Sequence, residues 1–146
     1  MIDRAIETQI DIAVAPERVW RAWTEGAEFV AWWGEDGIYK VTSWTGDVHP
    51  GGKWRSEGED KDGKPFNVQG EYLRVEPPHI LSFTWQPDWL GPDSHTTVFL
   101  EFQRTDNGTR LMLRHSGFGT NETRDSHAAG WNRVLGWLHE YLSLDN

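Results

Sequence analysis

From Gly37 to His115 the chain repeats one device: a short run in which apolar and polar residues alternate, a turn signal, then another run. The runs are Ile38 to Asp47, Lys53 to Glu59, Phe66 to Val75, Ile80 to Gln86, Thr96 to Arg104 and Thr109 to His115. Successive side chains of an extended chain point to opposite faces, so alternation marks strands with one buried and one wetted side. Asp62-Gly63 and Asn107-Gly108 fall where tight hairpins need residues that tolerate positive φ. Six strands joined in this way predict an antiparallel meander. Gln86 to Asp93, with Trp89-Leu90 at its centre, is the exception and reads as an irregular loop with an apolar middle.

The flanks complete the pattern. Ile6, Thr8, Ile10, Ile12 and Val14 alternate with Glu7, Gln9, Asp11 and Ala13, which predicts a further strand. Ala15-Pro16-Glu17 starts a helix, with proline near the first helical position and an acid in the first turn, and Val19, Trp20 and Trp23 form its apolar stripe. A second short helix is predicted through Phe29, Val30 and Trp33, with Gly34 as its C-cap. Beyond Gly119, a long helix carries Ala128, Trp131, Val134 or Leu135, Leu138 and Leu142 at helical spacing. Its Gly130 and Gly136 each cost about 1 kcal/mol relative to alanine, which predicts close packing against them as compensation. With no repeat or linker in the chain, a single domain over residues 1–146 is expected.

Composition excludes several functions. A net charge of −9 disfavours nucleic acid and anionic membranes, because both are held through Lys and Arg. Without cysteine the chain has no disulfide framework, thiol nucleophile or Cys-based zinc site. The segment MIDRAIETQIDIAV lacks the basic and continuously apolar parts of a signal peptide, and no apolar run approaches membrane-spanning length. A cytoplasmic location is the expectation. Ten tryptophans are more than packing a domain of this size requires.

The order strand, two short helices, meander, long helix is similar to the START-like, birch-pollen-allergen-like superfamily. Within it, Ala15-Pro16-Glu17-Arg18-Val19-Trp20, Trp32-Trp33-Gly34, Gly46-Asp47-Val48-His49-Pro50-Gly51-Gly52-Lys53-Trp54, Gly70-Glu71-Tyr72-Leu73, Val75-Glu76-Pro77-Pro78, Gly108-Thr109-Arg110-Leu111 and Gly130-Trp131 resemble the family related to the C-terminal domain of the activator of heat shock protein 90 ATPase. The resemblance implies an α+β helix-grip fold: a curved antiparallel β-sheet wrapped around a long C-terminal helix, with two short helices after the first strand. It also implies a cavity between the sheet and that helix.

A small apolar or aromatic ligand is therefore expected there, in an aromatic box of Trp44, Trp54, Trp85 and Trp131. Tyr72, His115 and Leu135 complete the expected lining, and Trp32 and Phe118 stand near the entrance. Of the adjacent tryptophans, Trp33 keeps step with Phe29 and Val30 and is assigned to the core. Trp32, about 100° away around the helix, is assigned to the cavity mouth.

Two other readings compete. One is an enzyme of the superfamily's cyclase, dehydratase or hydrolase kind, with His115 as general acid or base supported by Tyr72 or Glu71. The other is a chaperone-related or self-associating domain, a homodimer in the second case, that uses exposed Trp89 and Trp137. His49, His79, His95, His127 and His139 show no metalloprotease spacing, so neither a metal nor another cofactor is expected. Gly117-Phe118-Gly119 and His49-Pro50-Gly51-Gly52-Lys53 read as turns rather than phosphate loops, and Ser116 beside His115 lacks a nucleophile elbow. The acidic run Glu57 to Asp62 reads as a solvated hairpin end without calcium-loop spacing.

Overall fold

The computed structural model describes residues 4–91 and 95–144. Strand β1 (Ile6–Ile12) leads into helices α1 (Pro16–Thr24) and α2 (Gly26–Trp32). Strands β2 (Gly34–Glu35), β3 (Tyr39–Gly46), β4 (Lys53–Asp60), β5 (Pro65–Glu76), β6 (Ile80–Pro87), β7 (Thr96–Thr105) and β8 (Gly108–Ser116) follow, and α3 (Asn121–Ser143) closes the order. All eight strands form one antiparallel sheet in the order β1-β8-β7-β6-β5-β4-β3-β2. The sheet curls around α3, as the helix-grip fold requires. The two-residue β2 is an addition that no alternation announces. The expected loop opens at Asp88 because β6 runs to Pro87, and Pro92 and Asp93 lie outside the described residues.

Alternation sets the core. On β7, Thr96, Val98, Leu100 and Phe102 point inward; on β8, Thr109, Leu111, Leu113 and His115 do the same. Fully burying a Leu, Val or Phe side chain contributes roughly 1.5–3 kcal/mol, so these two interior strands anchor the sheet against α1 and α3. Two register slips aim residues that strict alternation would misplace. Between Val41 and Ser43 on β3 the pairing shifts by one, which leaves Val41 and Trp44 on the inner side although three positions separate them. A second slip lies between Tyr72 and Arg74 on β5.

The turns follow their sequence chemistry. Asp60 Oδ1 accepts from the backbone N–H of Asp62 at 2.8 Å and of Lys64 at 2.9 Å, and Gly63 takes φ 81° between β4 and β5. At the β7–β8 turn Gly108 has φ 143°, and a Cβ there would overlap the Ile12 carbonyl oxygen.

Thr120 caps α3 by accepting from Thr123 N–H at 3.1 Å. The helix buries Trp131, Val134, Leu135, Leu138 and Leu142, and two expectations about it need correction. Trp137, expected on the surface, is only 9% exposed. The β2–β3 edge curls past the main stripe, so the indole stands edge-on to Tyr39 at 5.4 Å and donates from Nε1 to Glu35 Oε1 at 2.8 Å. Gly130 and Gly136 are not closely packed: a Cβ at either would meet nothing within 4 Å.

Candidate functional site

Between α3 and the β3–β6 part of the sheet lies a cavity of about 660 Å³. Ser126, Ala129 and Gly130 supply short or absent side chains on the helix wall. Val41, Phe66, Val68 and Trp85 form the sheet wall, and Phe29 and Trp33 close the inner end. Lys64, Asp88, Trp89 and Arg133 surround the mouth, where Trp89 is 56% exposed and stands edge-on to Phe66 at 6.0 Å. A concave, largely aromatic space with a few polar groups is the usual form of a small-molecule site.

Of the adjacent tryptophans, Trp33 is in the core as expected, 7% exposed, and Trp32 departs from its expected place. Trp32, assigned to the cavity mouth, is 2% exposed and sits in the core, where its Nε1 donates to the Ala22 carbonyl at 2.8 Å. Trp33 borders the cavity instead. It stacks on Phe29 with centroids 4.9 Å apart and stands edge-on to Trp131 at 5.7 Å. The reason is local: α2 ends at Trp32, and Trp33 adopts φ −88°, ψ 93°, so the 100° step of a helix does not apply to it.

The other expected residues divide into three groups. Trp85 and Trp131 border the cavity, with centroids 5.5 Å apart. Trp44, Trp54 and Tyr72 border a smaller void of about 20 Å³ deeper in the sheet, which Phe29, Trp33 and Trp85 also line. Trp44 reaches the rest through Phe29, on which it stacks at 5.3 Å, so the four-tryptophan box is a continuous relay of rings rather than an enclosure. His115, Phe118 and Leu135 are buried behind the cavity wall. Phe118, expected at the entrance, packs on the rings of His115 at 4.5 Å and His127 at 5.1 Å.

Two Trp–His pairs tie α3 to the sheet. Trp131 Nε1 on α3 donates to His115 Nδ1 on β8 at 2.9 Å, so His115 carries its proton on Nε2 and donates to Thr96 Oγ1 at 2.7 Å. Thr96 in turn donates to the Trp85 carbonyl at 3.1 Å. In the reverse direction, Trp85 Nε1 on β6 donates to His127 Nε2 on α3 at 3.3 Å, and His127 Nδ1 donates to the Thr123 carbonyl at 3.0 Å. Burial, reinforced by the neighbouring His127, pushes His115 down to about 3; burial also lowers His127. Both imidazoles are neutral at pH 7, and both nitrogens of His115 are committed to protein partners. His115 therefore presents no nitrogen to the cavity for proton transfer. Burial raises the phenols of Tyr39 and Tyr72, which keeps them protonated. Among the described residues no group of three or more His, Asp or Glu is arranged to hold a metal.

The family model described as Activator of Hsp90 ATPase homolog 1-like protein matches residues 13–143. The chain belongs to this family. Among solved members, the AHSA1 protein from Silicibacter pomeroyi is 28% identical, with a TM-score of 0.82 over 97% of this chain and 99% of that one. The AHSA1-like protein from Aeromonas hydrophila is 25% identical, with a TM-score of 0.83 over 97% and 93%. Protein NE0264 from Nitrosomonas europaea, 23% identical with a TM-score of 0.81 over 97% and 96%, shares the fold. No curated protein matches the sequence.

Within this family fold, the cavity residues that sequence reasoning missed had readable signals in part. His127 lies one turn before Trp131 on α3, and Phe66 and Val68 precede Tyr72 at even spacing on β5. Gly130 was legible as unusual, but its open surroundings were not.

Proposed function

We propose that the protein binds a small apolar or aromatic molecule in the cavity between α3 and the sheet. The observation that carries this reading is the 660 Å³ space itself, bounded by Phe29, Trp33, Phe66, Trp85 and Trp131. A hydrophobic ligand that replaces water against these rings gains the free energy of apolar burial. Indole and phenyl rings give flat molecules stacking partners without a large loss of conformational freedom. Lys64, Asp88 and Arg133 at the mouth meet whatever polar group the ligand leaves in solvent.

The test is native mass spectrometry of protein purified from its own host, with denaturing release and identification of bound material. A discrete small molecule held in one-to-one ratio supports the reading. Protein that arrives empty, and whose tryptophan emission does not respond to a panel of apolar aromatic probes, overturns it. The cavity placement has its own check: an identified ligand must protect Trp33 and Trp85 rather than Trp89 alone from oxidative labelling.

A further inference from the structure

Two indole N–H groups in the core have no acceptor among the described residues, Nε1 of Trp23 and Nε1 of Trp54. Their residues are only 2% and 5% exposed. Buried donors in native proteins nearly always have a partner, because losing hydration without replacement is costly. Trp23 comes from α1 and Trp54 from β4, yet both border the same inner void of about 20 Å³. A space of that size accommodates about one water-sized group. Phe29, Trp33 and Trp85 wall both this void and the outer cavity.

The chemistry around the void is selective. It has no charged side chain in its lining, so burying a carboxylate or ammonium there would be strongly unfavourable. Of the other polar groups, the Trp85 N–H is already given to His127, and Tyr72 contributes a protonated phenol. The two free indole donors ask for an acceptor. Trp54 Nε1 lies against Gly70, where a Cβ would come within 2.6 Å of it and overlap the Thr84 carbonyl oxygen.

We propose that the inner void is a site for one neutral oxygen acceptor, the carbonyl or ether oxygen of the molecule bound in the outer cavity, with a single water as the alternative source of that oxygen. The inference rests on the ligand reading above and narrows it. The ligand is a flat apolar molecule with a neutral carbonyl or ether oxygen on its buried edge, rather than a plain hydrocarbon or a carboxylate.

The experiment uses the full chain with isotope-labelled indole nitrogens, and Trp23→Phe and Trp54→Phe assign the two signals. The probes are fluorene and fluorenone, which share a rigid aromatic body and differ in one carbonyl. Fluorenone is expected to bind at least about tenfold more tightly and to move the Trp23 and Trp54 N–H resonances downfield. Trp54→Phe is expected to shrink the preference. Equal binding of the two probes, with neither indole signal moved, overturns the acceptor site while leaving the ligand reading intact. Should neither probe bind, the free protein decides: magnetisation transfer from bound water to both indole protons assigns the oxygen to water, and its absence overturns the proposal. Where a Phe variant fails to fold, nuclear Overhauser contacts assign the wild-type signals instead, Trp23 through Phe29 and Trp32 and Trp54 through Phe83.

Discussion

At the scale of single residues, His115 couples the core to pH. Its pKa falls from an ordinary 6.5 to about 3 on folding, so between those values the unfolded chain binds a proton that the folded chain does not. Stability is therefore complete above pH 6.5 and is lost as pH falls through that window, at about 1.4 kcal/mol per pH unit for one such group. The carboxylates of Asp11, Glu17 and Asp60 are held below their usual values by Arg110, Arg104 and backbone N–H groups respectively, so their losses come at more acid pH. Urea unfolding at pH 6.5 and about pH 5 should show the histidine slope, and His115→Gln should reduce it to the share of His127, which burial also lowers; equal slopes in both proteins would refute the account. The glycines give a second test of local geometry. Gly136→Ala, with open space at its Cβ, should raise stability by roughly 0.5–1 kcal/mol, whereas Gly70→Ala should lower it because the new methyl meets the Thr84 carbonyl. Thermal melts that rank the two variants the other way would contradict the structure. The burial of Trp32 away from the cavity that Trp33 borders marks the limit of sequence at this scale. Their identities declare two environments, but a single non-helical residue at the end of α2 decides which ring receives which.

At the scale of elements, the sequence was a close guide. The six meander runs match β3 to β8 within a residue or so at each end, because hairpin turns and period-two alternation are both local properties. The register slips were not legible. A slip depends on how two strands meet, and Val41 and Trp44 share a face only through the pairing of β3 with β4. The stripe of α3 was read correctly but too narrowly, since the coverage of Trp137 depends on how far β2 and β3 curl. The start of α3 offers the element-level prediction. Thr120→Ala removes the cap from the turn that carries Thr123, whose carbonyl holds His127, and should cost about 1 kcal/mol. Hydrogen exchange should accelerate over the first two turns of α3 and leave its C-terminal half protected. Uniform acceleration along the helix would mean that the cap does not act locally.

At the scale of the whole molecule, the cavity exists because Ser126, Ala129 and Gly130 on α3 leave a gap opposite Val41, Phe66 and Val68 on the sheet. Gly130 tests whether that gap is what binds. Gly130→Leu adds a good helix former whose side chain enters open space, so the fold should hold with an unchanged or higher melting temperature. Binding of fluorenone should fall by about tenfold or more as the cavity fills. A variant that binds as well as the wild type would place the ligand elsewhere. None of the described helices is long and apolar enough to cross a membrane. The sheet order has one more consequence, for synthesis. Among the described residues, strand β1 has its only ladder on β8, where Glu7 and Arg114 pair across 107 positions of chain. β1 leaves the ribosome before the seven strands that follow it and must therefore wait for β8, and until then the β7 edge stands without its neighbour. A chain stalled before Gly108 would carry two unpaired strand edges at once, the arrangement that invites association with other nascent chains.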